Sequence, residues 1–151
     1  MTAAPVLHPS GDEIVVASRL FGPLSVRRDA VLTFPLGLPG FAGERRFVLL
    51  PAAPDGVYWL QSADEGALAF LLVDPFAAFP GYEVDLPDAF ERPPLVLAVV
   101  SLPRHDDEAC TANLQAPLLI DLVTREGRQV ILESPAYGPR HAFDLKRRLS
   151  A

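Results

Sequence analysis

The sequence is poor in the residues that build metal and redox centres. It has one cysteine, Cys110, and three histidines, His8, His105 and His141, far apart in the chain. A single thiol excludes an internal disulfide, and neither residue type recurs at zinc-ligand spacing. Long apolar runs are missing too. The longest, over 67–73 and 95–100, are far short of the ~20 residues that cross a bilayer as a helix. The first ten residues carry neither a basic start nor a signal-like apolar run, so the expectation is a soluble, cytoplasmic protein without membrane contact. Uninterrupted stretches are scarce, because sixteen prolines are spread along the chain. Proline lacks the backbone N–H and clashes with the preceding turn, which excludes long helices. No phosphate-binding glycine loop, dinucleotide fingerprint or GxSxG elbow occurs.

What remains is a chain of 151 residues, half of them apolar, long enough for one domain with a sizeable core. Strands are predicted over 13–20 and 24–28, with a turn at Gly22 and Pro23, and extended chain over 31–34. Two prolines and two glycines make 35–40 a loop. Further strands are expected over 46–50, 57–61 and 67–73. Asp74 followed by Pro75 caps one short helical turn. Residues 82–86 alternate apolar and acidic, as an edge strand would, and 95–102 reads as a central strand buried on both faces. More strands are predicted over 112–114, 118–123 and 129–132, the last two joined by a hairpin at Glu126 and Gly127. A helix is predicted over 139–149, with Ala142, Leu145 and Leu149 on one face. The fold class is mostly β: one antiparallel sandwich or small barrel with short helical turns and a C-terminal helix. Residues 1–11 are expected to be a loose tail, 12–141 the β domain and 142–151 a helical tail.

Charge is unevenly distributed. Between Asp55 and Glu108 eleven acidic residues face two basic ones, Arg92 and Arg104. Such a surface repels phosphate backbones, which disfavours direct nucleic-acid binding, and the charge either attracts a basic protein or only aids solubility. Catalytic candidates are sparse. His105, Asp106, Asp107 and Glu108 with Cys110 form the densest group of metal-ligand types, and the plainer account is a solvated loop. A triad using Ser101 and His105, or Cys110 as a nucleophile, has no motif behind it. Leu38 and Phe41 are different, being apolar residues in a segment that cannot be a strand. Period two puts Trp59 on the face opposite Tyr58 and Leu60. In 113–117, Asn113 sits at a break between strands beside Leu114, Ala116 and Pro117. Each of these is either core or local backbone support, or an exposed binding anchor.

Several ordered segments together resemble the FliW family of flagellar assembly factors. They are 32–41 (LTFPLGLPGF), 46–50 (RFVLL), 58–62 (YWLQS), 68–70 (LAF), 73–75 (VDP), 82–84 (YEV), 111–117 (TANLQAP), 127–130 (GRQV) and 140–141 (RH). The resemblance implies a small β-barrel-like fold with no enzymatic activity and no cofactor. It implies two protein partners: flagellin awaiting export, and CsrA, a small RNA-binding protein that represses translation of flagellin messenger RNA. In that scheme flagellin occupies the factor while it accumulates. Its export then frees the factor to sequester CsrA. On this reading Asp106, Asp107 and Glu108 face CsrA, while Leu38, Phe41, Trp59, Asn113, Leu114, Ala116 and Pro117 make apolar protein contacts. A monomer is expected. The competing expectation is a small β-barrel metal- or ligand-binding protein, or an enzyme, using the His105–Cys110 region.

Overall fold

A computed structural model describes residues 11–86, 90–105 and 108–145. Its centre is a closed barrel. In chain order the strands are β1 (Glu13–Ser18), β2 (Gly22–Arg27), β3 (Leu32–Thr33), β4 (Arg46–Pro51), β5 (Val57–Ser62) and β6 (Ala69–Val73). They continue with β7 (Leu95–Ser101), β8 (Cys110–Ala112), β9 (Leu118–Asp121), β10 (Glu126–Gln129) and β11 (His141–Phe143). Neighbours run β7-β6-β5-β4-β3-β10-β9, and β9 pairs back onto β7 to close the ring. All ring pairings are antiparallel except β3 with β10. The far end of β7 carries β8, which carries β11. The β1–β2 hairpin forms a separate two-stranded sheet.

Side-chain alternation explains the barrel wall. Leu60, Leu72 and Leu97 point into the barrel, where they meet Leu32, Phe34, Leu38, Phe47, Leu118 and Ile120. Their neighbours Leu71, Val73, Ala98 and Val100 point outward into a second core with Tyr82, Ala112, Leu114 and Phe143. β6 and β7 are therefore covered on both faces, as the unbroken apolar run over 95–100 requires. Helix α1 (Pro75–Ala78) begins where predicted: the Asp74 carboxylate accepts the Phe76 N–H at 2.9 Å, and Pro75 takes the first helical position.

Several boundaries differ from expectation, each for a local reason. The first hairpin turns at residues 19–21. Gly22 closes the turn with φ +74°, and Pro23 pairs opposite Ala17 within β2. An edge strand tolerates that proline because its missing N–H interrupts no ladder on the outer side. Gly127 lies inside β10 rather than in a turn, since a Cβ there would overlap the Phe34 ring. The turn falls at 122–125 instead. The Asp121 carboxylate accepts the N–H groups of Val123 and Thr124, and Arg125 adopts φ 62°. Residues 82–86 run without a strand partner. The predicted helix over 139–149 is a strand at its start, because β11 pairs in register with β8 and buries Phe143. Residues 1–10 and 146–151 lie outside the described residues, and with them most of both expected tails. No helix among the described residues is long and apolar enough to cross a membrane.

Candidate functional site

Leu38 and Phe41 divide between inside and outside. Gly37, with φ +66°, turns the loop so tightly that a Cβ would approach the Ala42 backbone at 2.6 Å. The Phe41 N–H then donates to the Leu38 carbonyl at 2.7 Å. Leu38 is driven into the barrel core and is buried. Phe41 stays 41% exposed and meets Phe70 edge-on at 5.4 Å. Of the two expected anchors, only Phe41 presents a surface.

Trp59 lies on the outer face of β5, opposite Tyr58 and Leu60, as period two requires. It is half-buried and meets Phe21 edge-on at 6.4 Å. Phe21, exposed at the hairpin tip beside exposed Leu20, was not singled out by sequence. The buried Gln61 side chain holds this hairpin in place. Its carbonyl oxygen accepts from the Ser18 hydroxyl at 2.9 Å, and its amide donates to the Ser62, Gly66 and Leu68 carbonyls.

The 113–117 segment is mainly structural. The Asn113 side-chain oxygen accepts the N–H groups of Gln115 and Ala116, a local turn of the kind asparagine favours. Leu114 and Pro117 are buried, and Ala116 is half-buried, its carbonyl accepting from the Gln129 amide. The Leu114 carbonyl accepts the Tyr82 hydroxyl at 2.8 Å. Burial, with the nearby Tyr137 second, pushes the Tyr82 hydroxyl up to about 12.

Asp106 and Asp107 lie outside the described residues. Glu108 is exposed and accepts the Arg104 N–H at 3.3 Å, closing its own loop. Other acids serve the fold: Asp64 pairs with Arg46, and Asp74 caps α1. Arg46 holds the Asp64 carboxyl below the usual carboxylate range, chiefly through their hydrogen bond. Among the described residues no three His, Cys, Asp or Glu side chains converge to hold a metal. Cys110 is half-buried and borders a surface hollow with Glu108, Ala142 and Phe143.

The class these features define is a small closed β-barrel with a second core on its outer face, presenting exposed aromatics at a loop, at a hairpin tip and on helix α1. Comparison with known proteins makes the assignment specific. The family model "FliW protein" matches residues 15–143. The flagellar assembly factor FliW of Moorella thermoacetica is 41% identical over 136 residues, covering 84% of this chain and 85% of that protein. The one from Geobacillus thermodenitrificans is 35% identical over 134 residues, covering 83% and 92%. A crystal structure of the flagellar assembly factor FliW superposes with TM-score 0.76 at 33% identity, covering 85% of this chain and 95% of that one. The chain belongs to the FliW family.

Proposed function

We infer that this protein is a cytoplasmic, non-enzymatic flagellar assembly factor. It binds flagellin before export and, when flagellin is gone, binds CsrA and relieves repression of flagellin messenger RNA. The observation that carries this is the family match over 15–143, which spans the whole barrel and both cores. Relatives matched over most of their own length bear the name flagellar assembly factor. The surface chemistry is compatible with two kinds of protein contact. Phe41 and the Phe21–Trp59 pair offer aromatic area of the sort that anchors protein interfaces. The acid-rich stretch ending at Glu108 suits a basic, RNA-binding partner and acts mainly on association rate and specificity.

The test is a pull-down from native cytosol with the tagged protein, with captured proteins identified by mass spectrometry. Flagellin and CsrA are expected. Capture of neither, from cells making both, would refute the reading. Phe41→Ala is expected to leave the fold intact and weaken flagellin binding; unfolding would return Phe41 to the core. Reversing the charge of Asp106, Asp107 and Glu108 should weaken CsrA binding and flatten its salt dependence. An unchanged affinity and salt slope would remove that loop from the interface.

A further inference from the structure

Residues 82–86 and 130–134 lie in no strand and flank one groove of about 640 Å³; on one side the second segment is bonded, the Val130 and Leu132 N–H groups donating to the Pro117 and Gln115 carbonyls. Each alternates as a one-sided strand does. Tyr82 and Val84 face the outer core while Glu83 and Asp85 are exposed; Leu132 faces the core while Ile131 and Glu133 are exposed. The Tyr137 hydroxyl pins one end by accepting the Glu83 N–H at 2.9 Å. Beyond that point the pairing stops. The peptide groups of Val84, Asp85, Ile131 and Glu133 make no hydrogen bond to another described residue. Peptide groups left without partners along one edge are a template for an added strand. Ile131, 75% exposed at the groove wall, is a large apolar side chain left in water.

The lining chooses the occupant. Glu83, Asp85 and Glu133 contribute three carboxylates, and among the described residues no basic one lines the groove. We propose that this groove binds an extended segment of a partner protein by strand addition. The segment alternates basic side chains, which meet the three carboxylates, with apolar ones, which cover Ile131. Five residues of strand span about 17 Å at roughly 3.3 Å each, so the recognised segment is short. Neither Phe41 nor Trp59 lines the groove, and the site does not depend on which protein carries the segment.

The probe is a fluorescein-labelled heptapeptide of alternating lysine and valine, titrated by anisotropy into the full chain. Two controls accompany it: a glutamate–valine peptide, and a lysine–valine peptide with its outward backbone nitrogens methylated. Saturable binding of the first alone is expected. It should weaken roughly tenfold with Glu83→Lys plus Asp85→Lys, while Asp55→Lys, an acid elsewhere on the surface, leaves it unchanged. It should also weaken as ionic strength rises from about 0.01 to about 0.15 M, where screening shortens from about 30 to about 8 Å. Three results would overturn the proposal: no binding, equal binding of the acidic peptide, or undiminished binding of the methylated one. Binding seen only after residues 146–151 are removed would also overturn it, by assigning the groove to the chain's own Lys146, Arg147 and Arg148.

Discussion

Replacing Tyr82 by phenylalanine removes one oxygen and little else. The ring stays packed against Tyr137, at 4.7 Å between centroids, and against Phe76, at 5.5 Å. The Leu114 carbonyl, in a residue 2% exposed, loses the hydroxyl that donates to it. A buried acceptor left without a partner costs about 1–3 kcal/mol, so Tyr82→Phe should lower neutral-pH stability by that amount. The same hydroxyl gives the effect a pH signature. In the unfolded chain it ionises near 10.0, and in the folded protein burial holds the proton until about 12. Above the lower value the unfolded state releases a proton that the folded state keeps. The wild type therefore loses stability from this group as pH rises between those two values, by about 1.4 kcal/mol per pH unit. Phenylalanine has no proton to release. The stability gap should thus narrow by roughly 2–3 kcal/mol across that window. Urea unfolding followed by the single tryptophan, Trp59, measures both chains, and ionising groups other than the adjacent Tyr137 cancel in the difference. No loss at neutral pH, or a gap that stays constant through the alkaline window, would refute the reasoning.

Gly127→Ala forces a methyl into the Phe34 ring inside a closed barrel. It should destabilise by about 1–3 kcal/mol or more, read as a lower urea midpoint. Gln61→Leu leaves the Ser18 hydroxyl without its acceptor and takes one donor from each of three carbonyls, of which Gly66 and Leu68 keep the Arg19 and Ser62 N–H groups. A loss of about 1–3 kcal/mol is expected, with faster proteolysis in the β1–β2 hairpin than elsewhere under native conditions. Asp64→Asn breaks the pair with Arg46, whose members are about half exposed. The change at neutral pH should be within about 0–1 kcal/mol. Because Asp64 titrates lower when folded than its usual 3.8, the pair's contribution is present above that value and lost as pH falls. Wild type and variant should therefore converge in acid.

The strands legible in the sequence were those whose pattern and boundaries agreed. β4, β5 and β7 came out nearly as read, because Pro51, the Asp55–Gly56 step and the unbroken run over 95–100 mark them. The second half of the chain was harder. Gly127 looks like a turn residue, yet its missing Cβ serves the Phe34 ring 93 positions earlier. The 139–149 pattern suits a helix locally, but pairing with β8 wins at His141–Phe143. Candidate anchors were legible as a set, not one by one. Leu38 and Phe41 flank the same loop glycine and proline, and only the fold of that loop sends one inward and the other outward. The alternation over 82–86 was visible as well. The sequence does not show that this segment finds no strand partner, beside a second segment bonded on one side only.

The two-faced wall explains why exposed contacts concentrate where they do. In an ordinary small barrel the outer face of every strand meets water and offers a broad binding surface. Here β6 and much of β5 and β7 are covered outside by Tyr82, Ala112, Leu114 and Phe143, so strand faces in this region are not available to partners. Surface that remains open among the described residues includes the loop after β3, the tip of the β1–β2 hairpin and the backbone around the groove. Each is fixed by interior contacts: Leu38 in the barrel, Gln61 under the hairpin, Tyr137 on Glu83. A partner that meets these sites meets preformed surface and need not order it, which lowers the entropic cost of binding. The consequence is checkable from the interior. Gln61→Leu, which touches no solvent, should weaken any partner that relies on Phe21 and Trp59 while sparing one that relies on Phe41. Equal loss for both partners would mean that the hairpin and the loop do not behave as separately supported sites.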